Sequence, residues 1–245
     1  MEQLEGRNPV LEALEAGLAV HKVYIAKGTH GSAIKRLIDL CNKRNVTLQW
    51  VERAVLDRKS QTGRHQGVIA EVAPIGYADL ESVLAKARAG DEELLLVVLD
   101  GIEDPHNLGS IIRTAEAVGA HAVIIPRHRA VGLTGAVARA SAGAVAHLPV
   151  VQVPNLVRCI QELKEHGVWV AGADAAAEQI AYEADLTGPL AVVLGSEGKG
   201  ISRLLRENCD FLVRLPMLGR IGSLNVSVSA GVLLYEVMRQ RHMQE

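Results

Sequence analysis

Residues 94–120 read LLLVVLDGIEDPHNLGSIIRTAEAVGA, and they contain the pattern that decides the fold. A continuous apolar run ends at Asp100, a polar turn follows, and apolar residues then recur at helical spacing as far as Gly119. Further apolar runs stand in HAVIIP, LPVV, GVWVAGAD and LAVVLG, with helical patterns between them. Strands without polar alternation are buried on both faces, so these runs predict an α/β domain with a parallel sheet covered by helices.

The first 73 residues predict a second, smaller α/β domain. Helical patterns appear in NPVLEALEAG and SAIKRLIDLCNKRN, and short strands in KVYIA, VTLQWV and GVIAEV. We therefore divide the chain into a domain at residues 1–73, a linker at 74–91 with a short helix from about Asp79 to Arg88, and a domain at 92–245.

Composition narrows the class of protein. The chain has 245 residues, 49% of them hydrophobic, and no apolar run long enough to span a bilayer. Its acidic, amphipathic beginning is neither a secretory signal nor a transit peptide. The three cysteines, Cys41, Cys159 and Cys209, stand singly, which argues against a zinc site or a disulfide framework. These observations predict a cytoplasmic protein without a bound metal or a membrane partner.

Charge is distributed unevenly along the chain. The net charge is −2, but residues 1–73 hold 11 Lys/Arg against 8 Asp/Glu, and residues 92–245 hold 13 against 17. The N-terminal part is therefore the better candidate for binding a polyanion. Aromatic residues make up only 3% of the chain, so a stacking platform for single-stranded nucleic acid is not expected.

The segment LDRKSQTGRHQG, between the last two strands of the smaller domain, predicts an exposed basic loop. It contains Arg58, Lys59, Arg64 and His65. Two interpretations stay open for this loop, which are an ordinary solvated connection and a contact with nucleic acid.

Unusual residues follow three of the predicted strands. After Asp100, Asn107 is predicted to cap the next helix, and Arg113 lies six residues further along it. Local sequence favours Arg113 as a surface residue paired with Glu116. In RIGSLNVSVSAGVLLYEVMRQR, residues 220–241, Ser223 and Asn225 stand where a helix begins, and capping explains only one of them.

The third of these turns, in LAVVLGSEGKGISRLLREN, is rich in glycine. Gly195, Gly198 and Gly200 allow backbone N–H groups to approach a ligand, and Glu197 places a carboxylate among them. The pattern is neither G-x-G-x-x-G nor a phosphate loop, because Lys199 is misplaced, so a Rossmann oxidoreductase is poorly supported. The three turns follow the carboxyl ends of strands, where open α/β sheets bind ligands.

Three segments together resemble motifs 1, 2 and 3 of the SpoU/TrmH (SPOUT) family of RNA 2′-O-methyltransferases. They are DPHNLGSIIRTAEAVGA, VVLGSEGKGIS and LPMLGRIGSLNVSVSAGVLLYE, and the match covers about residues 94–241. The N-terminal part, with GRNPVLEAL and HQGVIAEV, resembles the ribosomal-protein-L30e-like RNA-binding domain of the subgroup that modifies a guanosine in 23S rRNA. The resemblance implies an S-adenosylmethionine-dependent homodimer with a deep C-terminal trefoil knot.

The same resemblance assigns roles to individual residues. The catalytic set is Arg113, Asn107, Glu197, Ser223 and Asn225. The set that holds the cofactor is Gly195, Leu215, Leu224 and Ile201. A separate hypothesis, from local charge, is that Lys59, Arg64 and His65 hold RNA outside the active site. Two alternatives stay open, a tRNA guanosine 2′-O-methyltransferase and a non-catalytic RNA-binding assembly factor.

Overall fold

Two α/β units follow one another along the chain in the computed structural model, which describes residues 2–73 and 76–242. Residues 74–75 of the predicted linker, and residues 1 and 243–245 of the predicted domains, lie outside those ranges. The smaller unit consists of β1 (Glu2–Glu5), α1 (Arg7–Glu15), β2 (Val20–Ala26), α2 (Ser32–Lys43), β3 (Thr47–Val51), α3 (Arg53–Lys59) and β4 (Val68–Val72).

The larger unit alternates helices and strands. Its elements are α4 (Leu80–Arg88), β5 (Leu95–Asp100), α5 (Pro105–Ala117), β6 (Ala122–Pro126), α6 (Gly135–Ala140), β7 (Val150–Val153), α7 (Leu156–Glu165), β8 (Trp169–Ala173), β9 (Gln179–Ile180), β10 (Leu190–Gly195), α8 (Arg203–Glu207), β11 (Phe211–Arg214) and α9 (Val226–His242). Short 3₁₀ helices span Ala144–Ala146 and Ala181–Glu183.

The smaller sheet has the strand order β1-β4-β2-β3, with β4 antiparallel to both neighbours and β3 parallel to β2. Helices α1 and α2 cover one face over Val23 and Ile25, and Leu56 of α3 packs with Tyr24 on the other. The predicted smaller α/β unit is therefore confirmed. The prediction that LDRKSQTGRHQG is entirely a loop is partly wrong. Residues 53–59 form helix α3, so Arg58 and Lys59 lie at the end of a helix.

The larger sheet has seven parallel strands in the order β7-β6-β5-β10-β8-β11-β9, which confirms the predicted parallel sheet. Alternate residues of β5 enter different cores: Val97 and Leu99 pack with α5, α6 and α9, whereas Leu96 and Val98 pack with α4, α7 and α8. Both faces are thus buried, which explains why its strands lack polar alternation.

Helix α4, predicted within the linker, belongs to the core of the larger unit. Leu80, Val83 and Leu84 pack on the large sheet, and Ala78 forms a parallel bridge with Val151. The trefoil knot implied by the resemblance stays a prediction. None of the helices in the described ranges is both long and apolar enough to cross a membrane.

The two units touch through α1 and α6. Glu12 and Arg139 form an ion pair with an N···O distance of 2.8 Å. Gly143 (φ +91°) lies so close to α1 that a Cβ atom on it would stand 2.6 Å from the carbonyl oxygen of Ala16. The smaller unit is therefore docked next to α6, and α6 in turn packs on α5.

Arg241 ties the end of α9 to the backbone just before β5 and β10, at the amino ends of these two central strands. Its guanidinium donates to the carbonyl oxygens of Glu93 (2.7 Å), Leu94 (3.1 Å) and Gly188 (2.7 Å). Hydrogen bonds from charged groups contribute about 1.5–3 kcal/mol each, and the contributions of bonds that share one guanidinium do not simply add.

We expect Arg241→Ala to lower the free energy of unfolding by about 2–3 kcal/mol, measured by urea denaturation. Lys86→Ala, an exposed change, should shift it by less than about 0.5 kcal/mol.

Candidate functional site

A cavity of about 410 Å³ lies at the carboxyl ends of β8, β10 and β11. Its walls come from residues 173–176, 194–201, 213–215 and 222–224, together with Arg206, Met217, Val226, Ser229 and Leu233. Small-molecule sites usually have volumes of about 300–1,000 Å³ and occur at this edge of parallel sheets. The cavity therefore has the size and the position of a ligand site.

The turn after β10 forms one wall of the cavity, and its glycines, Gly195, Gly198 and Gly200, contribute only backbone to that wall. The N–H of Gly200 donates to the carbonyl oxygen of Ser196 at 2.8 Å, and the N–H of Ser202 donates to Asp100 Oδ2 at 2.8 Å. A Cβ atom on Gly195 would lie 1.9 Å from the carbonyl carbon of Gly200. Only glycine fits at position 195, and its bare backbone faces the cavity.

A hydrogen-bonded polar network lies beside this wall. Asn107 Nδ2 donates to Glu197 Oε1 at 3.1 Å, and Asn225 Nδ2 donates to Asn107 Oδ1 at 3.0 Å. Asn225 Nδ2 also donates to Glu197 Oε1, as does the N–H of Val226 at 3.4 Å. Three of the five predicted catalytic residues therefore meet, although 118 residues separate Asn107 from Asn225.

Asn225 also caps α9. Its Oδ1 accepts from the N–H of Ser227 at 2.9 Å, so one side chain both starts the helix and joins the network. Ser223 lies before the helix, is exposed and lines the cavity. This arrangement agrees with the expectation that capping explains only one of the two polar residues.

The predicted cap of α5 is wrong. Asp104, not Asn107, precedes the helix, and its Oδ1 accepts from the N–H of His106 at 2.8 Å. Pro105 takes the first helical position, where a missing N–H costs nothing. Because Asp104 satisfies the helix start, the Asn107 side chain is available to the network.

All four residues predicted to hold the cofactor line the cavity. They are Gly195, Ile201, Leu215 and Leu224, of which Ile201 is buried and Leu224 is exposed. The structure thus groups them in one place, and their contact with a ligand stays a prediction.

Arg113 is the predicted catalytic residue that the structure brings neither to the cavity nor to the Asn107–Glu197–Asn225 network. It lies on the exposed side of α5 and is not among the residues that line the cavity. Within the described ranges its side chain makes neither a hydrogen bond nor an ion pair, so the expected pair with Glu116 is absent.

An ion pair missed by sequence reasoning also lines the cavity. Arg206 Nε lies 3.0 Å from Asp174 Oδ2, and Asp174 Oδ1 accepts from the N–H of Ala176 at 2.7 Å. Asp174 is the last residue of the predicted strand GVWVAGAD and directly follows β8, so its place at a strand end was the available signal. Over residues 2–73 and 76–242, no three His, Cys, Asp or Glu side chains are grouped to hold a metal.

The three predicted RNA-binding residues differ in their surroundings. Arg64 is exposed, whereas Lys59 pairs with Glu71 at 2.8 Å, a hydrogen bond that raises the pKa of Lys59. The predicted exposure is wrong for His65, whose surface is only 3% exposed. Its Nε2 lies 2.8 Å from Asp57 Oδ1 and its Nδ1 accepts from the N–H of Gly67, so it connects α3 to the start of β4.

Glu5 holds the loop that carries Arg64. Its carboxylate accepts hydrogen bonds from the hydroxyl groups of Ser60 and Thr62 and from the backbone N–H groups of Gln61 and Thr62. Partial burial alone raises the pKa of Glu5, but these hydrogen bonds outweigh it and lower the pKa from 4.5 to about 2. The loop is therefore anchored only while Glu5 is ionised.

A carboxyl group with a lowered pKa stabilises the fold above its unfolded pKa and loses this effect as pH falls. We expect the contribution of Glu5 to be complete above about pH 4.5 and to vanish towards pH 2. Glu5→Gln should therefore speed amide exchange at Gln61 and Thr62 at pH 7 and reduce the pH dependence of stability in that window. Hydrogen exchange and urea denaturation across pH would measure both; unchanged exchange rates would contradict the anchor.

Two family models match this chain. Residues 94–235 match the SpoU rRNA Methylase family, and residues 3–78 match the RNA 2′-O ribose methyltransferase substrate binding family. A protein of Bacillus subtilis (strain 168), named as a TrmH family tRNA/rRNA methyltransferase, is 49% identical over 237 residues. That alignment covers 97% of this chain and 95% of the relative.

Solved structures resemble the chain to different extents. The AdoMet-bound rRNA methyltransferase from Sinorhizobium meliloti has a TM-score of 0.68 and 25% identity, with 97% of this chain and 86% of that chain covered. The TrmH/SpoU tRNA modifying enzyme of A. aeolicus has a TM-score of 0.57 and 30% identity, with 67% of this chain and 85% of that chain covered.

Proposed function

This chain belongs to the SpoU family of RNA methyltransferases, and from that premise we propose that it methylates the ribose 2′-hydroxyl of a guanosine in 23S rRNA, with S-adenosylmethionine as donor. The observation that supports this most is the glycine-walled cavity with the Asn107–Glu197–Asn225 network beside it. A ligand and a reacting hydroxyl group can meet there.

The cavity fits S-adenosylmethionine. Apolar side chains of Ile201 and Leu215 suit a planar base, the bare backbone at Gly195 offers close hydrogen bonds, and the Asp174 carboxylate suits polar or cationic groups. When bound, S-adenosylmethionine supplies a methyl group on a sulfonium, which is already a good leaving group. The protein's task is then to align the hydroxyl oxygen and to accept its proton.

Glu197 is the group best placed to accept that proton. Asn107, Asn225 and the N–H of Val226 all donate to its Oε1, which fixes the carboxylate. No side chain or backbone group within the described ranges donates to Oε2, so we propose Oε2 as the acceptor, with a water molecule as the alternative. Arg113 is a poor base because a guanidinium stays protonated in proteins. Its proposed role is to grip the phosphate next to the target ribose through two hydrogen bonds.

The substrate proposal depends on the smaller unit. It matches the substrate-binding family model, and the rRNA methyltransferase structure covers nearly the whole chain, whereas the tRNA enzyme covers 67% of it. A tRNA guanosine is the second candidate, since the B. subtilis relative is named for both RNAs. Exposed Arg64 is the proposed contact of the smaller unit, while Lys59 and His65 hold its loop in place.

We propose that the enzyme is a homodimer. The outer side of α9 exposes Val228 (49%) and Tyr235 (50%), with Val232 between them, at the spacing of one apolar helix face. Asn225 and Asn107 bring the starts of α9 and α5 together, so Arg113 lies at about the level of Val232. A second copy on this face would leave Arg113 at the border of the interface.

Methyl incorporation tests the proposal. The purified protein is incubated with methyl-labelled S-adenosylmethionine and either 23S rRNA fragments or tRNA, both from cells that lack the protein, and the methylated ribose is mapped. We expect label on one guanosine of a 23S fragment. Label on tRNA alone would favour the second candidate. Binding of S-adenosylmethionine and RNA without any transfer would instead indicate an assembly factor.

A further inference from the structure

We propose that the exposed loop Arg127–Arg129 is a second RNA-binding site, which holds phosphate groups of the strand flanking the target nucleotide. The proposal rests on the proposed function and names where the RNA lies on the larger unit. The loop follows β6 and contains Arg127, His128 and Arg129 in succession.

The sheet register places this loop beside the cavity. Gly195 in β10 lies opposite Asp100 in β5, and Ile124 in β6 lies opposite Val98 in β5. Two residues further, Pro126 is level with Asp100, at the carboxyl edge where the cavity opens. Adjacent strands are about 4.8 Å apart, so the loop begins about 10 Å from Gly195.

Backbone hydrogen bonds fix both ends of the loop. The N–H of Arg127 donates to the carbonyl oxygen of Val153 at 2.9 Å, and the N–H of Val131 donates to that of Ile102 at 2.9 Å. Ile102 is buried and belongs to the turn that leads into α5, the helix of Asn107. The loop is thus held at a constant distance from the polar network.

The basic side chains of the loop are exposed and unpaired. Within residues 2–73 and 76–242, Arg127, His128 and Arg129 make no side-chain hydrogen bond or ion pair, even with exposed Glu103 in the neighbouring turn. By contrast, Arg139 and Arg206 of the same unit are ion-paired. Residues 92–245 carry four more acidic than basic residues, so this basic loop is a local exception.

Two unpaired arginines at the edge of a site that accepts a polyanion suit phosphate in particular. A guanidinium binds a phosphate with two parallel hydrogen bonds. Because its positive charge neutralises the phosphate, binding also releases counterions that were condensed on the RNA. These contacts with phosphate involve no base, so the loop would position the RNA strand without selecting its sequence.

The loop also lies on the route from the smaller unit to the cavity. The connection between the units pairs Ala78 with Val151 on β7, the edge strand, and α1 docks on α6 through Glu12 and Arg139. In the sheet order β7-β6-β5-β10, the loop after β6 stands between that edge and Gly195. An RNA strand held by both the smaller unit and the cavity would pass over it.

The test compares the double variant Arg127→Ala/Arg129→Ala with Lys86→Ala/Arg88→Ala. The control also removes two positive charges, but at the amino edge of the sheet, where Arg88 contacts His166.

Binding of a 23S fragment that the wild type methylates is measured by fluorescence anisotropy over a range of salt concentrations. We expect the slope of log K against log salt to fall by about 1.4–1.8 in the loop variant, since each phosphate contact contributes about 0.7–0.9. Affinity should fall at least about tenfold, and Arg127→Lys/Arg129→Lys should keep most of the slope.

Calorimetry with S-adenosylmethionine should give wild-type affinity for all variants, because the loop does not line the cavity. A loop variant with the wild-type salt slope, or an equal loss in the control, would overturn the second RNA site. Absence of methyl transfer by the wild type to any RNA would overturn the proposed function instead. Wild-type transfer is assayed separately, so the two failures can be told apart.

Discussion

Replacing Gly195 with alanine is expected to weaken S-adenosylmethionine binding by about 100-fold or more. The added Cβ would lie 1.9 Å from the carbonyl carbon of Gly200 and 2.2 Å from the N of Ile201. Both atoms belong to the backbone, so no side-chain rotation relieves the overlap and the turn itself must move. Overpacking of this kind typically costs about 1–3 kcal/mol. Because the displaced turn is itself a wall of the cavity, we expect the upper end of this cost to appear as lost binding free energy, and about 3 kcal/mol corresponds to about 100-fold in affinity.

Calorimetry measures this loss directly, and methyl transfer should fall with it. Gly188→Ala is the matched control, because a Cβ atom there meets no atom within 4 Å. Circular dichroism should show that both variants retain the two sheets. Wild-type affinity in Gly195→Ala would mean that the glycine wall does not contact the cofactor.

Replacing Arg113 is expected to reduce turnover while leaving S-adenosylmethionine affinity unchanged. Arg113 lies outside the cavity wall, so its loss should not disturb the bound cofactor. Arg113→Ala should lower turnover by about 10³-fold, the upper range for losing one stabilising donor group. Arg113→Lys keeps the charge but loses the second hydrogen bond to phosphate, and it should lower turnover by at least about tenfold.

Arg158→Lys is the control, since Arg158 is an exposed arginine on α7, which covers the other face of the sheet. Single-turnover assays at saturating RNA separate the chemical step from RNA binding. Near-native turnover in Arg113→Lys would contradict the bidentate grip, and near-native turnover in Arg113→Ala would remove Arg113 from the active site.

Burial patterns made the larger unit predictable. Runs such as LLLVVL, residues 94–99, lack polar residues because both faces of β5 are covered, and this signal is local. Side chains whose partners are distant in sequence were not predictable in the same way. Nothing near His65 indicates that it will be buried with a hydrogen bond to Asp57, and local sequence favours Asn107 as a cap although Asp104 takes that role.

The meeting of Asn107, Glu197 and Asn225 was expected only from the family resemblance. Helical and strand periodicity place each of them after a strand, but they do not say which strand ends are neighbours. The strand order, with β10 next to β5, brings Asn107 and Glu197 together, and the segment between β11 and α9 brings Asn225 to them. Asp174 was accessible to the same strand-end argument and was missed because its strand carries no other unusual residue.

The network that joins Asn107 and Glu197 to Asn225 also has a consequence for biosynthesis. By Arg214 a nascent polypeptide contains every strand of both sheets, but it lacks Asn225, helix α9 and the part of the cavity wall at 222–224. Such an incomplete translation product could form most of its hydrogen-bonded ladders and still have no place for a methyl donor. Activity would therefore switch on late, when the last helix docks, and a chain clipped by a protease before that helix would be inert.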